Sequence, residues 1–352
     1  MKPRYFAAVM LVGVVETAFG QGQPAVPKSL QAWEDPAQPA VLAKCGNPAP
    51  AFKMPSMPAV VSAATSAAVT PPAAVSIAIP GVIEAGKSWK VVWEGTGNNA
   101  DGPIASDDGG LLFARNDHSD VLKLDSSGKE TIVHRETRTG GSLSRNSKGE
   151  LFVVARGLNP SILQLEPQRK VLATSFQGEP LDCVGGILND LSADSKGGVY
   201  FTLGGLYYAS AKGVITQYGK DLRTNGLILS PDENVLYVTK GPTVAAFDVQ
   251  ADGSLKNQRE FGKLSSGGGD GSTIDSEGRL YVSTGHNVDV FAKDGKRLGT
   301  IPGPEGLHGV AFSGADKKTL YAVVLTGFMS QNRKSTVVAI PTIAQGFKGR
   351  SK

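Results

Sequence analysis

The sequence predicts an all-β fold, a six-bladed β-propeller, and three observations carry that expectation. A phrase made of a turn, an apolar strand, an acidic-glycine turn and an aliphatic-aromatic strand recurs from about residue 87 onward. Its copies open at positions 101, 141, 189, 225, 270 and 308, at intervals of 40, 48, 36, 45 and 38 residues. A repeat of about 40 to 50 residues with four short strands is the period of propeller blades. No window holds a sustained helical period, and 44 glycines among 352 residues suit a chain rich in tight turns.

The six copies run over Asp101–Phe113, Gly141–Val153, Asn189–Phe201, Asn225–Val238, Asp270–Val282 and His308–Tyr321. Each unit carries a second hairpin. Val121–Leu124 turns through Asp125–Gly128 into Glu130–Val133, and Val288–Phe291 turns through Lys293–Gly295 into Arg297–Ile301. Acidic-glycine turns between alternating segments are strong hairpin signals. Trp89–Trp93 and Ser335–Ile340 remain as partners to close the ring in one mixed blade.

Ahead of the repeat, Lys2 and Arg4 precede an apolar run from Tyr5 to Val15, and Ala18 and Gly20 offer a small-x-small site. That pattern predicts a cleavable signal peptide over residues 1–20, cut near Gly20, and hence a secreted or periplasmic protein. The run is too short to span a bilayer. Residues 21–84 read as a Pro/Ala-rich extension or linker in which no function is expected, residues 85–345 as the propeller, and 346–352 as a basic tail. Two cysteines, Cys45 and Cys183, follow the expected cut. They either pair, pinning the extension to the propeller, or stay as free thiols, and two thiols cannot build an all-cysteine zinc site.

Basic and acidic residues number 36 and 32 and are interspersed, so neither a nucleic-acid arm nor a membrane patch is indicated. Composition excludes collagen, coiled coil, a disulfide-dense mini-protein and an integral membrane protein. A small molecule is the expected partner, and the oligomeric state carries no signal. No P-loop, nucleophile elbow or HExxH string occurs.

The residue opening each phrase stands at one rim of the central channel. In order these are Asp101, Gly141, Asn189, Asn225, Asp270 and His308. Two carboxylates and two carboxamides form an oxygen set suited to Ca²⁺, Mg²⁺ or Mn²⁺. Asp and Asn before Gly are also common turn residues that cap loops with their own side chains. Of the histidines, His118 and His134 read as blade-edge or loop residues, His286 lies within reach of a pocket, and His308 is best placed. Phe328 and Met329 belong to an irregular loop.

Over residues 90–342 the sequence resembles the family of senescence marker protein (regucalcin), gluconolactonase and related lactonases. The most specific stretch is Asp270–Val282 followed by Asp294–Pro302, with support from Asn225–Leu227, Ser230–Asp232, Leu236–Val238, Asn189–Asp190 and Tyr200–Thr202. The resemblance implies a divalent cation on the axis, Ca²⁺ first and Mg²⁺, Mn²⁺ or Zn²⁺ after it. Its ligands would be Asn189, Asn225 and Asp270, with Asp101 where the family carries a glutamate one methylene longer. Lys240 and His308-Gly309 also depart from the family pattern. The implied activity is metal-dependent hydrolysis of a sugar lactone or related ester. Asp270 would activate water and His308 would accept a proton, while Asn189, His286 and His308 would bind substrate. A non-catalytic ligand- or protein-binding propeller and a carbon–oxygen lyase are the alternatives.

Overall fold

The computed structural model describes residues 29–47, 75–96, 100–327 and 334–352. The expected signal peptide, much of the extension, and Phe328 and Met329 lie outside the described residues. Strands dominate, arranged as six four-stranded antiparallel units. Blade 1 runs outward through Ala100–Ala105, Leu111–Arg115, Asp120–Leu124 and Glu130–His134. Blades 2, 3 and 4 repeat the order from inner strands Gly140–Arg145, Leu188–Ala193 and Thr224–Leu229. Blade 5 starts from Ser272–Ile274 and shares the 17-residue strand Arg297–Ser313 with blade 6. The first half of that strand is the outer edge of blade 5, and the second half is the inner strand of blade 6.

The innermost strands neighbour one another in sequence order, and that of blade 6 returns to Ala100–Ala105, so the ring is closed. Its outer closure is the expected one: Lys90–Thr96 pairs antiparallel with Lys334–Pro341, Lys90 opposite Ala339 and Glu94 opposite Thr336. The hydrophobic core lies between blades. Ile104, Leu112 and Val121 of blade 1 pack on Leu143, Val153 and Leu163 of blade 2, and Phe152 and Val154 of blade 2 pack on Leu191 and Phe201 of blade 3. Such interleaving follows from the alternation of the strands, which buries both faces of each blade.

The acidic-glycine turns are structural. Asp194 Oδ1 accepts from the amides of Lys196 (2.9 Å) and Gly198 (2.8 Å), and Asp275 Oδ1 accepts from those of Glu277 and Arg279 (both 2.9 Å). These are Asx-turn contacts that fix the hairpin. Except for Asp270, which lies two residues before its strand Ser272–Ile274, the residues opening each phrase sit at the other end of the same strand, where the ladder slips. Register shifts fall between Asp101 and Ile104, Gly140 and Leu143, Leu188 and Leu191, Thr224 and Leu227, and Leu307 and Gly309. A bulge re-aims side chains and ends regular pairing. Repeated in five blades, it turns the residue at the phrase opening toward the axis.

Three segments outside the repeat pack on the ring. Cys45 and Cys183 form a disulfide, Cα atoms 5.7 Å apart, which resolves the alternative left open by the sequence. Ile79, Val82 and Ile83, within the residues assigned to the extension, are buried in the core of blades 5 and 6. The basic residues 346–352 also turn inward. Ser351 bridges Arg145, the Arg350 guanidinium donates to the carbonyls of Leu229 and Ser230, and Lys352 reaches Asp190.

Candidate functional site

Four of the expected ligands, Asp101, Asn189, Asn225 and Asp270, come together with His308 around one cavity of about 320 Å³. Ile187, Leu325, Gln31 and Trp33 form its less polar walls. The glycine after an axial residue is there for close approach. A Cβ on Gly226 would sit 2.1 Å from the carbonyl oxygen of Asp270, so a side chain there would push two inner strands apart.

The sixth axial slot, Gly141, is filled from the neighbouring strand. Arg156 follows the fully buried strand Leu151–Ala155, and its guanidinium passes where a Cβ on Gly141 would stand, 2.2 Å from Cζ. All of its donor groups are engaged. Nε donates to Leu188 O (2.9 Å), Nη1 to Asp101 Oδ2 (2.8 Å) and Asn116 Oδ1 (3.2 Å), and Nη2 to Asn189 O (2.6 Å) and Asn189 Oδ1 (2.8 Å). Asn189 in turn donates from Nδ2 to Asn225 Oδ1. Sequence reasoning missed Arg156. The signal available was the single axial slot lacking a side chain, in a blade with an arginine at the end of an otherwise apolar strand.

The carboxylates on the axis therefore differ. Burial works against the charged form of Asp101, but Arg156 and His308 outweigh it, and the group is held below the usual carboxylate range. Burial pushes Asp270 up to about 7, with the negative charges of Asp101 and Asp190 adding to the rise and His308 and Arg156 opposing it. Among the described residues the Asp270 carboxylate accepts no hydrogen bond and makes no ion pair. Asp190, the residue after Asn189, accepts from Leu227 N (2.8 Å) and Ser142 Oγ and pairs with Lys352 Nζ (2.6 Å). Burial lowers the pKa of that lysine, and Asp190 works to restore it.

The two histidines expected at the site differ in position. His308 lies at the cavity, its Nδ1 3.1 Å from Gly306 O and its Nε2 2.8 Å from Ala100 O, and a neutral ring donates to one of these two carbonyls. A ring held in this way braces the junction of blades 6 and 1. His286 is exposed on Gly285–Phe291, a strand two places out from the axis, and does not line the cavity. His134, at the edge of blade 1, lies 2.9 Å from Glu166 of blade 2, as a blade-edge residue should.

Fold and site together define a β-propeller with a polar axial site at one mouth of its channel. Within that class, residues 99–326 match the model for the SMP-30/gluconolactonase/LRE-like region, and the chain belongs to that family. Among relatives, it is 27% identical over 255 residues to a gluconolactonase of Zymomonas mobilis, spanning 59% of this chain and 70% of that one. It is 28% identical over 228 residues to lactonase drp35 of Staphylococcus haemolyticus, covering 54% and 68%. A gluconolactonase from Xanthomonas campestris superposes with a TM-score of 0.64 at 21% identity, over 77% of this chain and 95% of that one. A calcium-binding regucalcin from Agrobacterium tumefaciens gives 0.60 at 17%, over 74% and 98%. These two structures support the fold.

Proposed function

We propose that the protein hydrolyses a small lactone at the axial cavity, with a divalent cation as cofactor. The observation that carries this reading is the position of Asp270: an uncompensated carboxylate, beside two carboxamides and a second carboxylate, on the floor of a cavity with aromatic and aliphatic walls. Like charges held this close favour a cation between them. The donor set fits an oxygen-liking divalent ion, which would be held by Asp270 first, with Asn225, Asp101 and Asn189, whose oxygens already accept from Asn189 Nδ2 and Arg156, completing the set. When bound, such an ion supplies Lewis-acid polarisation of an ester carbonyl.

The chain's own groups do the rest. Asp270 takes the proton of the attacking water, whose oxygen adds to the acyl carbon. The ring oxygen then leaves the acyl carbon and takes up the proton held by Asp270, which returns the carboxylate and gives the open hydroxy acid. Asn189 and Asn225 orient the carbonyl, and Ile187 and Leu325 keep bulk water from the ring. We assign His308 the bracing of Ala100 and Gly306. The gluconolactonase and lactonase relatives support this substrate class.

We also place the protein outside the cytoplasm. The charged-apolar-small pattern of residues 1–20 supports export, and the Cys45–Cys183 bridge suits an oxidising compartment. The test is calorimetric titration of chelator-stripped protein with Ca²⁺, Mg²⁺, Mn²⁺ and Zn²⁺, together with lactone hydrolysis by wild type and Asp270→Ala. Binding near one equivalent and turnover, both lost in the variant, are the expected results. Turnover unaffected by Asp270→Ala would refute the reading.

A further inference from the structure

The sequence reading expects no function in residues 21–84, yet Gln31 and Trp33 of that stretch wall the axial cavity. The segment 29–47 is fixed there at both ends. At its start, Ser29 N donates to Asp117 O (2.8 Å), Ala32 N to Arg156 O (2.8 Å) and Thr139 Oγ1 to Leu30 O (2.9 Å). The Ala32 contact is to the backbone of the residue whose guanidinium holds Asp101 and Asn189. At its end, Cys45 is bonded to Cys183, and Gly46 N donates to Glu179 Oε1 (2.6 Å). Cys183 lies in the short turn Leu181–Val184, just ahead of Ile187 and of Asn189 on the inner strand Leu188–Ala193, so the bridge ties the strap to the turn that leads into two cavity residues.

The local structure of the strap aims its side chains. A short 3-10 turn, Ala32–Glu34, is closed by a capping box in which Gln31 N donates to Glu34 Oε2 (3.0 Å). Trp33 Nε1 donates to Gln31 Oε1 (3.2 Å), which locks the indole beside the amide. Gln31 is 8% exposed, and among the described residues its Nε2 has no hydrogen-bond partner. The cavity thus meets its occupant with charge and carboxamides on one side, and with an indole and an amide donor on the other.

We propose that the strap is part of the substrate site: Trp33 covers the carbon face of a polyhydroxylated lactone ring, Gln31 Nε2 donates to one of its hydroxyls, and the Cys45–Cys183 bridge holds both in place. This rests on the lactonase reading and deepens it. It selects a cyclic sugar lactone over an unsubstituted one, because a bare ring offers Gln31 no acceptor and Trp33 less surface.

The experiment compares wild type, Trp33→Phe, Trp33→Ala and the double variant Cys45→Ser/Cys183→Ser. Hydrolysis of D-glucono-1,5-lactone and of γ-butyrolactone is followed by pH-stat, and D-gluconate binding by tryptophan fluorescence, with circular dichroism confirming the fold. Trp33→Ala is expected to raise KM for the sugar lactone about tenfold or more with kcat little changed, Trp33→Phe to restore most of the loss, and γ-butyrolactone to show a much smaller effect. The double serine variant is expected to show the same KM defect, and gluconate-induced quenching to vanish in Trp33→Phe. Unchanged KM and unchanged quenching in the Trp33 variants overturn the strap proposal while leaving the lactonase reading standing. Quenching without turnover of either lactone by wild type overturns the lactonase reading and upholds the strap as a binding wall. Neither quenching nor turnover in wild type overturns both.

Discussion

Replacing Arg156 with methionine separates the chain's own axial charge from that of any metal. The guanidinium is 5% exposed and paired with an Asp101 that is 18% exposed, and it also satisfies oxygens of Leu188, Asn189 and Asn116. Methionine fills much of the volume but supplies no donor, so the Asp101 carboxylate is left buried and unpaired. Breaking such a pair by removing one partner costs about 3–5 kcal/mol. For a domain of this size each kcal/mol shifts Tm by about 2–4 °C, so metal-free Arg156→Met should melt about 6–20 °C below wild type. The variant also frees Asp101 and Asn189 as ligands. A divalent ion at about one hundred times its Kd for the variant should return about 2.7 kcal/mol, and at that same ion concentration wild type, in which Arg156 competes for Asp101 and Asn189, should gain less. Differential scanning calorimetry of chelator-stripped protein, with and without Ca²⁺ or Mn²⁺, reads both effects. A cooperative transition within about 2 °C of wild type that ignores both ions would refute the claim that Arg156 is the axial counter-charge.

Three more outcomes follow from the same geometry. Asp270 titrates at about 7 in the folded metal-free protein, above the ordinary carboxylate value of about 4, so the folded state holds its proton more tightly than the unfolded chain does. Metal-free protein should therefore lose stability as pH rises from about 4 to about 7. Asp270→Asn should flatten that slope, which a series of melting curves would reveal. Lys352→Met should lower Tm and loosen Asp190, seen as faster amide exchange at Leu227, whose N–H bonds Asp190 Oδ2; unchanged exchange would refute the link. Gly226→Ala should cost about 2 kcal/mol or more in denaturant unfolding, because its Cβ meets the Asp270 carbonyl; a shift below about 0.5 kcal/mol would show that the strands can part freely.

The blades were legible because each repeats one local grammar. Apolar alternation set the strands and Asx turns set the hairpins, and both act over a few residues. Closure by Trp89–Trp93 was legible by elimination, since one blade lacked a strand. The axial oxygens were legible because the repeat puts them in phase. What the sequence hid is what depends on contacts between distant segments. Arg156 reaches the axis from the second strand of blade 2, Lys352 arrives from a tail, and Trp33 is carried in by a bridge spanning 138 residues. No periodicity marks such residues. The position of His308 on the axis was readable, but its contact with Ala100 O, 208 residues away in sequence, exists only through ring closure.

The pairing of Lys90–Thr96 with Lys334–Pro341 has a consequence for how the molecule is made. A ribosome releases the first of these strands long before it has synthesised the second. A chain folding from its N-terminus before that strand arrives would be an arc with unsatisfied backbone at both ends, the kind of surface that recruits other strands. Blades 5 and 6 form one hydrogen-bonded sheet through Arg297–Ser313, so the last part of the chain completes the sheet, the ring and the axial brace at His308 in a single late event. Synthesis timing, and whatever shields the open arc until then, thus belongs to the biology of this fold as much as its finished site does.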